Sequence, residues 1–151
     1  MTPDDLYAKG LHDVPTEAIL RLAEHVLDLA AAAWLESDDR PRLALAMLKR
    51  GETLDGARLA TRVWKQSLRK PRVGRDTSWW HAVTTVRGVA VLVHERRAGK
   101  TRGEDHALTC AGSFFWSLGM FGAGVGSGRQ AHDYARALLV KFAMNTDASR
   151  A

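Results

Sequence analysis

Arg58, Arg62, Lys65 and Arg69 recur at steps of four, three and four residues. On a helix turning about 100° per residue, that spacing gathers four cations into one narrow stripe. Ala60, Val63, Trp64 and Leu68 fall on the opposite side, so a helix starting at Thr53 or Asp55 has an apolar inner face and a cationic outer one. Pro71 ends it, and Lys70, Arg72 and Arg75 extend the charge into the following turn. From Arg58 to Arg75 there are seven bases and no acid. The chemistry this implies is capture of an anion. Phosphates of DNA or RNA would give salt-sensitive affinity, an acidic protein would be steered in by complementary charge, and anionic lipid would be drawn by the same field. A charge run is equally what a solvated helix face looks like, and spacing alone does not choose among these. Segment 69–75 lacks the tight Arg-Gly-Arg spacing of a minor-groove arm, because Val73 interrupts it. No helix-turn-helix pair is evident either.

The other reactive residue types do not assemble into a site. Gly122, Gly124, Gly126 and Gly128 precede a helix, the right neighbourhood for a phosphate cradle. A phosphate loop ending at Gly128 would need glycine where Ala123 stands, and Arg129 and Gln130 replace its lysine and hydroxyl. A dinucleotide spacing begun at Gly122 fails at Ser127. His94-Glu95 lacks the second histidine of a zinc-protease helix, and His106 and His132 each neighbour an aspartate that points away on a helix. Asp38 and Asp39 read as turn and capping residues. Cys110, in apolar surroundings, reads as a small buried side chain rather than a nucleophile. The expectation is therefore a non-enzymatic chain with no catalytic residue, cofactor or metal. Its candidate contact surface is Arg58, Arg62, Lys65, Arg69, Lys70, Arg72 and Arg75.

Six helical segments are expected to position that surface. Ile19, Leu22, Val26, Ala30 and Ala33 keep helical register after Pro15, with Glu17, Arg21, Glu24 and Asp28 opposite, and this helix is expected to end near Glu36. Asp39 and Pro41 start a second, carrying Leu43, Ala44, Met47 and Leu48 and ending at Gly51. The basic helix is third. Thr77–Arg97 is rich in valine and threonine, which suits a strand. Yet Trp79, Ala82, Val86, Val89 and Val93 keep helical spacing, with His81, Thr84, Thr85 and Gly88 as the polar side, so a helix is expected there despite Gly88. A fifth opens at Glu104 and Asp105 and carries Leu108, Ala111, Phe115 and Leu118. A sixth runs from about Arg129 to Met144, with Tyr134, Ala137, Leu138 and Lys141 setting its register. Residues 1–13 and 145–151 are expected to fray.

Bulk numbers agree with one folded domain over 1–151. At 151 residues and 46% apolar, the chain can bury a real core, and 26% charged residues argue against both extended disorder and a polytopic membrane protein. The charge is polarised: residues 1–57 carry a balance of −5 and residues 58–151 one of +10. Asp4 and Asp5 sit where a leader would need an apolar run, and a single cysteine suits a reducing compartment, so a cytoplasmic setting is expected. Ala107 to Gly128 is a 22-residue stretch without Asp, Glu, Lys or Arg. Its six glycines make it a poor membrane span, and core or interface is the expectation. The fold class expected is all-α, an irregular bundle of five to six helices.

Asp39-Arg40-Pro41-Arg42, then Ala44, Arg50-Gly51-Glu52 and Ala57-Arg58, is similar to a pattern in a bacterial family of small, alanine-rich helical immunity proteins. The resemblance covers residues 39–59. It implies an all-α fold and a protein that neutralises a toxin by binding it. The segment between the two motifs is about one turn shorter here, and valine and tryptophan replace the histidine- and alanine-rich helices that follow in that family. The functional expectation is a helical binding protein of immunity type with an acidic protein partner. Nucleic-acid binding by the same face is the alternative.

Overall fold

In the computed structural model, residues 14–33, 38–68, 76–99, 104–122 and 124–150 are described. They form helices α1 (Thr16–Ala33), α2 (Arg40–Lys49), α3 (Thr53–Leu68), α4 (Asp76–Arg97), α5 (Glu104–Ser117) and α6 (Ser127–Arg150), with no strand among them. The architecture is an all-α bundle. The expected fraying of 1–13 concerns residues outside this set, whereas α6 continues past Met144 to Arg150.

Helix α4 is the centre. It packs against α1, α2, α3 and α5. Trp79, Ala82, Val83, Val86, Val89, Ala90, Leu92 and Val93 are all buried, and no residue from Ser78 through Arg96 is exposed. A helix that is apolar all round is a core helix. Burial of valines on several sides outweighs their modest helix propensity. The expected polar side is not a solvent face: Thr84, Thr85 and Gly88 are buried too. The two threonine hydroxyls donate to the His81 carbonyl oxygen at 2.9 and 2.7 Å, which satisfies them inside the core.

Helix α2 ends where its sequence says, whereas the expected ends of α1 near Glu36 and of α3 at Pro71 lie outside the described residues. At the end of α2 the Glu52 amide donates to the Met47 carbonyl (2.9 Å) and the Gly51 amide to that of Leu48 (3.1 Å), a Schellman closure in which Gly51 has φ +86°. Asp39 stands at the N-cap of α2, but its backbone is already helical and its side chain makes no capping bond. Asp38 takes that role instead, its Oδ1 accepting from the Arg40 amide at 3.1 Å. The buried stripe of α2 is Pro41, Ala44, Leu45 and Leu48. Leu43 is exposed, because a stripe through Leu45 turns it outward. In α6 the buried seam is Ala131, Ala135, Leu139, Val140 and Ala143 rather than the expected Tyr134, Ala137, Leu138 and Lys141; Ala137 and Lys141 are exposed. Alanines draw that seam close to α5.

The α5–α6 approach is tightest at Gly112. A Cβ built there would lie 3.0 Å from the Cα and 3.2 Å from the N of His132, both backbone atoms that cannot swing away. Gly112→Ala would gain about 1 kcal/mol of helix propensity against an overpacking cost of about 1–3 kcal/mol. A net loss of up to about 2 kcal/mol in urea unfolding is expected; an unchanged or raised midpoint would show that the crossing can relax.

His25 on α1 lies between the rings of Phe115 (centroids 6.2 Å) and Phe142 (5.9 Å). Burial pushes its pKa below the usual 6.5, partly countered by Asp28 and reinforced by Lys141. Because the unfolded chain takes the proton more readily, this group's contribution is complete above pH 6.5 and is lost as pH falls through its folded value. Thermal unfolding at pH 7.5 and 5.5 should show a drop in Tm on acidification that His25→Gln makes smaller. An identical drop in the variant would place the pH sensitivity elsewhere.

Candidate functional site

The stripe expected on α3 exists for the three of its residues that are described. Arg58, Arg62 and Lys65 are exposed, while Ala57, Ala60 and Val63 are buried on the opposite side and Trp64 is half-buried. Arg69, Lys70, Arg72 and Arg75 lie outside the described residues. The stripe differs electrostatically from the bases that precede it. Arg40 pairs with Asp38 (2.6 Å), Arg42 with Asp28 (2.8 Å), Lys49 with Glu24 and Arg50 with Glu52 (2.8 Å). The Arg42 and Lys49 pairs tie α2 to α1, the Arg40 pair closes the start of α2 and the Arg50 pair the α2–α3 turn. Among the described residues, no carboxylate lies within ion-pair distance of Arg58, Arg62 or Lys65. Arg40 also donates to Gln66 Oε1, which brings its guanidinium against the flank of α3.

A second constellation, not foreseen from the sequence, lies on the other side of Trp64. A cleft of about 230 Å³ opens between α3, α4 and α5. Helix α4 contributes Trp80, His81, Thr84 and Arg87, which share one side of it at steps of one, three and three residues. Helix α5 contributes His106, Thr109, Cys110 and Ser113, a face at i, i+3, i+4 and i+7. Trp64 closes the cleft from α3. The Arg87 guanidinium carbon stands 4.6 Å from the centroid of the Trp64 ring, in cation–π contact. Arg87 Nε is buried and has no hydrogen-bond partner. The sequence held one signal for this: Arg87 is the sole formally charged residue from Thr77 through His94.

Cys110 is buried as expected, with its Sγ 3.6 Å from His106 Nε2. Burial pushes its thiol pKa up, and the Thr84 hydroxyl and the Arg87 charge only partly offset that. A protonated thiol is a poor nucleophile and a poor metal ligand. Among the described residues, no three His, Cys, Asp or Glu side chains converge as a metal site would require. The glycine-rich stretch joins α5 to α6. The Ser127 hydroxyl that opens α6 is already engaged, donating to the Gly124 carbonyl at 2.8 Å and accepting from Trp116 Nε1 at 3.3 Å. Phe114 and Phe115 of the uncharged stretch are core residues, whereas Trp116 and Met120 are exposed. Among the described residues, no helix is long and apolar enough to cross a membrane.

The site thus consists of a solvent-facing cationic ridge on α3 and, behind Trp64, an aromatic cleft with one arginine. No family model, no curated protein and no solved structure matches the chain, so the functional reading rests on these residues.

Proposed function

We propose that this chain is a non-enzymatic helical binding protein of immunity type, which neutralises an acidic protein partner through the basic face of α3. One observation carries the reading. The cations of α2 are spent on carboxylates of the same chain, while Arg58, Arg62 and Lys65 stand exposed without one among the described residues. Surface cations left unpaired add little to folding, since even a formed surface pair is worth only ~0–1 kcal/mol. They contribute more to attracting and orienting an oppositely charged partner. The resemblance over residues 39–59 supports the choice of a protein partner, a toxin, over a phosphate backbone. Those residues are α2, its glycine turn and the first turns of α3, the part of the chain that holds the ridge in place.

Arg62→Glu with Lys65→Glu reverses two charges on an exposed face and should leave helix content by circular dichroism unchanged. Binding is measured against polyglutamate and against duplex DNA at low and at physiological salt. The expected outcome is salt-sensitive binding of polyglutamate in preference to DNA, weakened about tenfold or more, or ~1.4 kcal/mol, by the double reversal. Equal binding by wild type and variant would reduce the ridge to a solvated face. Preference for DNA would move it to nucleic acid.

A further inference from the structure

The cleft behind Trp64 has a make-up that docking of an acidic surface on α3 does not require. Its walls include four aromatic rings, from Trp64, Trp80, His81 and His106, and the ring centroids of Trp80 and His81 lie 5.0 Å apart. Arg87 supplies a fixed positive charge, and among the described residues no Asp or Glu lines the cleft. That guanidinium is stacked on an indole, and its Nε is desolvated without a partner. A buried donor left without a partner is costly to the fold, and an incoming anion would offset that cost. The volume of about 230 Å³ lies just under the ~300–1,000 Å³ usual for small-molecule pockets. A nucleotide is too large for it and a single ring is not. Arginine suits such a site better than lysine, because its planar fork matches a carboxylate while its face remains stacked on tryptophan.

The geometry points to a binding site for a small aromatic carboxylate, with the ring against the Trp64–Trp80 wall and the carboxylate on Arg87. The Ser113 hydroxyl lines the same cleft and adds a neutral hydrogen-bonding group to it. The raised thiol pKa of Cys110 is consistent with binding without covalent chemistry.

Isothermal titration of the whole chain with benzoate tests this, with benzamide as the neutral isostere and acetate as the anion without a ring. Benzoate should saturate with a Kd of about 1 mM or tighter, and both controls should bind at least about tenfold more weakly. Arg87→Gln should lose about tenfold or more in benzoate affinity with helix content retained. The α3 double reversal, Arg62→Glu with Lys65→Glu, should bind benzoate as wild type does, which separates this site from the ridge. The assignment is overturned by absence of saturable benzoate binding, or by equal affinity for benzoate and benzamide in the wild-type chain. It is likewise overturned if the α3 double reversal abolishes benzoate binding.

Discussion

Helix α4 has almost no face that meets solvent along its middle turns, and that condition governs residues on four other helices. A helix packed on all sides must be apolar on all sides, satisfy its own hydroxyls and let its neighbours approach closely. Each requirement can be seen in particular residues. Valines fill the gaps between α1, α2, α3 and α5. Thr84 and Thr85 turn their hydroxyls back to the His81 carbonyl instead of leaving them unsatisfied. Gly88 sits where α5 crosses, and a Cβ there would stand 3.3 Å from the Ala107 Cα. A glycine that looks like a defect of about 1 kcal/mol in an isolated helix is the residue that permits the crossing.

The last turn of the same helix holds the periphery. Arg96 Nη1 donates to the Val14 carbonyl at 2.5 Å, anchoring the approach to α1. Arg97 Nη1 reaches the Gly51 carbonyl at 3.3 Å, and His94 Nδ1 lies 3.4 Å from the Thr53 hydroxyl at the start of α3. Thus the turn that ends α2 and the first residue of α3 are both fastened to α4. The direction of α3, and with it the outward aim of Arg58, Arg62 and Lys65, follows from a core helix that carries none of those charges.

How much of this could be read from residues alone varied with the kind of signal. The helical reading of 77–97 rested on spacing against β-branched composition, and spacing prevailed because tertiary burial overrides propensity. The Gly51 stop was legible because a residue with positive φ has a strong local preference. The α3 ridge was legible because charges at four- and three-residue steps define a face whatever packs beneath it. The seam of α6 was not, since Ala131, Ala135 and Ala143 carry little hydrophobic weight and Tyr134 and Leu138 outweighed them on paper. Nor was the cleft. Trp64, Arg87 and Cys110 are separated by 23 residues at each step, and only the packing of three helices brings them together.

The two cationic features of this molecule are built on opposite physical terms. On α3, each cation is solvated, so it costs the fold almost nothing and its attraction is screened by salt within about 10 Å. On α4, Arg87 is half-buried and rests on an indole, its Nε is buried without a partner, and no carboxylate among the described residues pairs with it. A charge of the first kind steers and orients large partners. One of the second kind favours a small anion that can enter and replace the lost water. Trp64 lies at the boundary between them, with the ridge on one side of its helix and its ring under Arg87 on the other. A partner docking on the ridge and a ligand entering the cleft would therefore meet at the same helix. Any coupling between the two would have to pass through the position of the Trp64 ring.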